Sequence, residues 1–457
     1  MTECSLQFLP IHAAGTIDNS EKVKRVLIVV GAFEPAMVAD MQRARMLAWE
    51  LPSFGWQVEV LTPNAMEVRQ DIVEYDSSRF FKAGTPIHTF GSLAKPVWNI
   101  VGSHTHAWRT LLPLYWIGNR LLRSGRFHVV YFSTTTFTFL ALGPRWWRKY
   151  AVPYIMDLHD PWVREDAPAP ASKNWKARLV LQLAVHMERS AAVNAAGLVT
   201  VSPKYMDTMR LRYRAYSPAW LAPDRHAVIP FGAMTTDLVE AAKSANIGRR
   251  QESMEVLLHY VGAGGEIMGR SFRLICKSLA SLRAQGNLPI GKVQVRLFGT
   301  IYGWKPGDEK PLERIAQEVG VGDLIAEMPE RVSYRRSLEL LLECDGALVL
   351  GVDDAGYMPS KLFSYALSGK PLLAALRRDG PAFARFQDSA ALGHAIWFDA
   401  SGEMPACECA HIVGAFLQEA AARMSFDRSA ILKPDLAPAM AKRHADLFNS
   451  CVAHNIQ

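Results

Sequence analysis

The sequence predicts an α/β protein made of two Rossmann-like, doubly wound parallel-sheet domains that face a cleft. Three observations predict it. At 457 residues the chain is long for one hydrophobic core, so two domains are the default. Short apolar runs that end in glycine or a turn alternate with helical stretches, the pattern of a parallel sheet covered on both faces. That pattern then starts afresh midway, at "EVLLHYVGAGGE" (255–266).

The elements follow in order. Residues 1–21 have little periodicity and read as a flexible N-terminal tail. "KRVLIVVGAF" (24–33) is an apolar run ending in glycine, suited to a buried strand. "DMQRARMLAWELPSFG" reads as a helix with a glycine stop, and "WQVEVLTP" as the next strand. "FHVVYFST" (127–134) and "VPYIMDLHD" (152–160) are later strands of the same sheet, and "AWLAPDRHAVIPFGAM" (219–234) closes the half with a strand and a turn. In the second half "EVLLHYVGAGGE" leads into the helix "SFRLICKSLASLRAQG", and "VQVRLFGT" (293–300) is a further strand. "SLELLLECD" is a helix, "GALVLGV" a strand, "PSKLFSYALSG" a helix and "PLLAAL" a strand. The expected domains are 22–235 and 236–425, with a helical segment over 426–457. Ligands of open parallel sheets sit beyond the carboxyl ends of the strands, so the cleft is the expected site.

Composition narrows the class. The 49% hydrophobic and 21% charged content is that of an ordinary globular protein. No apolar stretch reaches the roughly 18 residues of a membrane span, and no secretory leader is expected. The six cysteines form no framework, which suits a reducing compartment. Cys407-Glu-Cys409 lacks zinc-ligand spacing and a second ligand pair, so no metal is expected. The net charge of +7 is uneven. Between Asp76 and Asp157 there is no acid, against ten basic residues: Arg79, Lys82, Lys95, Arg109, Arg120, Arg123, Arg126, Arg145, Arg148 and Lys149. Five tryptophans (98, 108, 116, 146 and 147) share the stretch. Cations interleaved with aromatic rings over 98–150 suit an anionic membrane surface. A core helix with a solvated basic face is the alternative. Nucleic acid is not expected, because no recognised nucleic-acid motif accompanies the charge.

"YMPSKLFSYALSGKPLLA" (357–374) places Ser360 and Lys361 in the first turn of the expected helix. Pro359 suits that turn, since its missing N–H would be an orphan. A lysine there works against the helix dipole by about 0.3–1 kcal/mol. The arrangement is explained if an anion such as a diphosphate meets the cation and the free N–H groups together; the alternative is a lysine that swings into solvent.

This segment resembles the donor site of GT-B glycosyltransferases of the family 4 type, whose pattern is P-S-K-hydrophobic-F-E-Y followed by G-K-P and an apolar strand. Other pieces match in order over roughly residues 24–400: "VPYIMDLHDPW", "VIPFGAM", "YVGAGGEIMGRSFRLI", "LFGT" and "VSYRRSLELLLECDGALVL". The resemblance implies transfer of a sugar from a nucleotide diphosphate sugar, without a metal or other cofactor. The nucleotide would bind the second domain and the acceptor the first. Carried over by position, Lys361 and Arg270 would hold the diphosphate. Gly262, Gly264 and Gly265 would let the backbone approach it, or else simply form a tight turn. The sequence also departs from the pattern. The two glutamates usual in the family, eight residues apart, are here Gly356 and Ser364, so Ser364 or the loop residues Asp353 and Asp354 would have to meet the ribose. Phe231 stands in place of the usual asparagine.

His159 and Asp160 end a predicted strand at the cleft and are the catalytic candidates. A histidine at the similar position in the family lies by sugar and acceptor, and a neutral imidazole can take or relay a proton near neutral pH. Asp157 lies two residues earlier, on the same face, and would orient the imidazole or serve as base. "DLHDPW" could instead merely organise a turn.

The expectation is therefore a glycosyltransferase acting on a glycan or lipid-linked acceptor in surface polysaccharide biosynthesis, cytoplasmic and peripheral at the inner face of the membrane. The alternatives are a non-catalytic nucleotide-sugar-binding subunit, or a nucleotide-sugar epimerase or hydrolase on the same fold.

Overall fold

The computed structural model describes residues 23–94, 106–164, 175–246, 255–288 and 293–453. The expected tail, Cys4, Lys95 and Trp98 lie outside them.

Two seven-stranded sheets organise the chain. The first holds β1 (Lys24–Val29), β2 (Trp56–Pro63), β3 (Ile87–Phe90), β4 (Val129–Ser133), β5 (Tyr154–Leu158), β6 (Gly197–Thr200) and β7 (His226–Val228). The second holds β8 (Val256–Val261), β9 (Val293–Phe298), β10 (Ile325–Met328), β11 (Gly346–Leu350), β12 (Leu372–Arg377), β13 (His394–Asp399) and β14 (Gly402–Glu403). The orders are β3-β2-β1-β4-β5-β6-β7 and β10-β9-β8-β11-β12-β13-β14. Every pairing is parallel except β13 with β14. β4, β5, β8 and β11 are buried along their whole length, which is why they read as mostly apolar runs, broken only where Asp157 and His259 sit in β5 and β8.

Helices cover both sheets. Around the first lie α1 (Ala39–Glu50), α2 (His106–Leu122), α3 (Gly143–Tyr150), α4 (Trp175–Asn194), α5 (Pro203–Tyr213) and α6 (Thr235–Ala242). The second half adds α7 (Gly269–Ala284), α8 (Pro311–Val319), α9 (Tyr334–Glu343), α10 (Leu362–Leu367), α11 (Pro381–Asp388), α12 (Ala406–Ala421), α13 (Ser429–Leu432) and α14 (Ala437–Ala453). α14 packs back on α1 and on β6 and β7 of the first sheet. Its His444 meets the Tyr131 hydroxyl at 2.9 Å, and its Phe448 packs on Trp56 with ring centroids 5.4 Å apart. α6 lies against α9, so one apolar core runs from beneath the first sheet into the second half.

The helix expected over 359–369 is shorter. Its regular part is Leu362–Leu367, and Lys361 is the residue just before it. Pro359, Ser360 and Lys361 form a turn closed by the Leu362 N–H on the Pro359 carbonyl at 3.2 Å. A six-residue helix has little dipole, so the environment of Lys361 is set by its neighbours.

Candidate active site

Strand order reverses between β1 and β4, and again between β8 and β11. The loops beyond these strands open into one cleft between the sheets, with a volume of about 1420 Å³. Asp40, Thr135, His159, Asp160 and Tyr205 line it from the first half. The glycine turn after β8, Arg331 before α9, and the segment Asp353–Tyr365 line it from the second.

On the first wall, β5 sets Asp157 and His159 on one face. His159 Nε2 is 2.7 Å from Asp157 Oδ2. The Ser133 hydroxyl, from the end of β4, donates to the same oxygen at 2.9 Å. Arg43 from α1 completes the group, with its Nε 3.0 Å from Asp157 Oδ2 and both side chains fully buried. Burial alone would raise the Asp157 carboxyl. The Arg43 guanidinium and His159 outweigh it and hold the group well below the usual carboxylate range. Asp157 is therefore an acceptor, and His159 Nε2 carries the proton donated to it. Among the described residues His159 Nδ1 is buried without a hydrogen-bond partner. Phe231 packs edge-on to the imidazole at 5.0 Å and lies under the Arg43 guanidinium at 5.1 Å, an apolar role that an asparagine would not fill.

Asp157 does not line the cleft, so it orients His159, and the option of Asp157 as base falls away. Asp160 does line it and is exposed there. Desolvation raises its pKa, opposed by His159 and Arg164 and reinforced by Asp354 and Asp40. Asp40, at the start of α1, is likewise raised, first by desolvation, and accepts from the Thr135 hydroxyl at 3.0 Å. The first wall is thus acidic around a histidine.

The second wall carries the cations Arg314, Arg331 and Lys361 alongside the acids Glu266, Glu309, Asp353 and Asp354. Lys361 Nζ donates to the Val261 carbonyl at 3.0 Å, beside Gly262. Burial first, and the neighbouring Arg331 cation second, push its ammonium down to about 8, with Glu74 opposing. Arg331 is held by Glu74 at 3.0 Å and by the Met37 carbonyl, both from the first half. Ser360 and Ser364 line the same wall.

Arg270, expected beside Lys361, is not among the lining residues. Its guanidinium bonds Asp353 at 2.9 Å and the Asp399 carbonyl at 2.6 Å, and stacks over Phe398. Arg331 takes the place beside Lys361 instead. The signal for Arg331 is its position just beyond the end of β10, whereas Asp40 opens the helix that follows β1. The glycine turn is also more constrained than expected. The Gly262 and Gly264 N–H groups are spent on the Phe298 and Thr300 carbonyls, at 2.9 and 3.0 Å. A Cβ at Gly264 would meet Met268 Sδ at 2.5 Å, while Gly265 has a left-handed φ of 50°.

The two missing glutamates have a physical counterpart. A Cβ at Gly356 would lie 2.2 Å from the Tyr205 ring, which α5 brings across the cleft. The Tyr205 hydroxyl donates to Asp354 Oδ2 at 3.2 Å, and the Gly356 N–H to Asp354 Oδ1 at 2.7 Å. Asp353 is bound by Arg270 and Arg377. Neither aspartate is free to replace the glutamates, and Ser364 is the polar side chain left at its position. Among the described residues, no three or more of His, Cys, Asp and Glu group to hold a metal ion.

Residues 41–232 match the family model described as a glycosyl transferase 4-like domain. No curated protein matches by sequence. Among solved structures, sucrose-phosphate synthase from Thermosynechococcus elongatus is similar at a TM-score of 0.57 and 14% identity, over 94% of this chain and 100% of that one. Anabaena HepE in complex with UDP and glucose gives 0.57 and 14%, over 93% and 100%. A UDP-forming trehalose-phosphate synthase from Burkholderia xenovorans gives 0.58 and 12%, over 93% and 99%.

Proposed function

We propose that the chain, which has a GT-B fold and whose residues 41–232 match the glycosyl transferase 4-like domain model, transfers a sugar from a nucleotide diphosphate sugar to a hydroxyl of a glycan or lipid-linked acceptor, without a metal. The observation that carries this reading is the opposition of the walls: a cation pair, Lys361 and Arg331, across one cleft from an aspartate-fixed histidine. The binding of UDP by a protein of similar fold supports it.

In this reading Lys361 and Arg331 neutralise the diphosphate and stabilise the charge that grows on it as the glycosidic bond breaks. Ser364 bonds the nucleotide ribose. Asp157 fixes the imidazole so that His159 can take the acceptor proton. Asp40 and Asp160 bond sugar hydroxyls. The reaction serves surface glycan assembly at the inner face of the membrane, a reading supported by the basic, aromatic stretch 98–150 of the acceptor-side half.

The test is thermal shift with nucleoside diphosphates and their sugars, for wild type and Lys361→Ala. One diphosphate should raise the melting temperature of the wild type and not of the variant. An equal shift in both removes Lys361 from the donor site, and no shift with any donor removes the reading.

A further inference from the structure

We propose that α2, α3 and α4 form a docking face for an anionic lipid bilayer, with α4 as the element that enters it. The sequence stretch 98–150 pointed to α2 and α3; α4 lies outside it.

An amphipathic surface helix hides its apolar side. α4 does not. Leu179, Val180, Leu181, Leu183 and Val185 are all exposed, Val180 at 60%. Residues 178–183 are exposed one after another. Successive helical residues are about 100° apart, so these side chains point all round the axis. An interfacial helix lies in the headgroup–acyl boundary of a bilayer with its apolar side chains sunk into it. The other end of α4 is anchored, with Ala191 and Ala192 fully buried.

α2 and α3 lie in the same layer. They add exposed Leu112, Trp116 and Trp147, and tryptophan favours the headgroup boundary. Arg120, Arg123, Arg145, Arg148 and Lys149 are exposed beside them, with Arg178 and Arg189 on α4. The one acid of the three helices is Glu188, which is buried against Arg212 and the Tyr213 hydroxyl. Arg126, by contrast, is taken by Glu59 at 2.6 Å and is not part of the face. Apolar groups set among cations, with no other acid on the three helices, repel a second copy of the same face and attract anionic headgroups. Among the described residues no helix is long and apolar enough to cross a membrane, so the association is peripheral.

The experiment is flotation of the full chain with vesicles of phosphatidylglycerol in phosphatidylcholine, against phosphatidylcholine alone. Wild type should float with the anionic vesicles and release as salt rises. Val180→Asp with Leu183→Asp should cut the bound fraction at least about tenfold, with the melting temperature unchanged because both side chains already lie in solvent. Arg120→Glu with Arg123→Glu should cut it by at least roughly tenfold and flatten the salt dependence. Binding that survives the α4 pair overturns the proposal. So does a wild type that ignores vesicles but sediments as a dimer dispersed by the α4 pair, which would give the helix to a second copy. The vesicles contain neither donor nor acceptor, so this result and that of the donor-binding test stand separately.

Discussion

Raising the pH should weaken donor binding through Lys361. The ammonium is pushed down to about 8 by burial and by Arg331, so about nine in ten molecules are charged at pH 7 and about one in four at pH 8.5. Only the charged form meets a diphosphate. The sign is therefore fixed: affinity falls as pH rises, about fourfold over that interval if the bound form stays protonated. A nucleotide sugar is the right probe, because its diphosphate has no proton to lose in this range. Calorimetric titrations with UDP-glucose and ADP-glucose at both pH values measure the ratio. Lys361→Met should abolish the lysine's share and weaken binding at pH 7 by about 1.5–3 kcal/mol, the worth of a hydrogen bond to a charged group. If Lys361→Met binds with unchanged affinity, or keeps the same fourfold dependence, the lysine does not hold the diphosphate.

Three further outcomes are expected. Asp157→Asn leaves the buried Arg43 cation uncompensated and should cost about 3–5 kcal/mol, read as a lowered denaturation midpoint, while Asp160→Asn leaves the midpoint nearly unchanged. Gly356→Glu forces a side chain into the Tyr205 ring and should cost about 1–3 kcal/mol; adding Tyr205→Ala should recover part of it, and strict additivity would show that the ring is not the obstacle. His444 is buried and neutral, its pKa pushed down to about 3 by burial and by Arg43. The unfolded chain protonates near the ordinary histidine value and the folded one does not, so stability should fall by up to about 1.4 kcal/mol per unit as pH drops from 6.5 towards 3; His444→Gln should flatten that slope in urea titrations.

What could be read from the sequence depended on which residues carry their own signal. Buried parallel strands such as β1, β8 and β11 are dominated by apolar residues, and the sheets built on them are legible in the sequence. Short strands such as β3 and β6 contain too little apolar pattern to register. His159 with Asp157 was visible because both sit on one strand at a spacing of two. Arg43 was not, because it reaches Asp157 from a helix more than a hundred residues earlier in the chain. Arg270 was misjudged because position alone does not reveal a competing carboxylate, and Asp353 captures it. Glycine in place of glutamate at 356 reads in the sequence only as a departure from the pattern; the structure gives it a cause on another element, the Tyr205 ring.

The return of α14 to the first sheet bears on how the protein is made. Tyr131 and His444 meet across 313 residues of chain, and Trp56 receives Phe448. During synthesis the first half emerges with its strands complete but with this aromatic side of its core uncovered, until the whole second half has followed. A nascent chain therefore carries an exposed apolar groove for most of its translation. Ribosome-stalled chains that end before residue 437 should recruit holding chaperones to that groove, and chains that extend past residue 453 should release them.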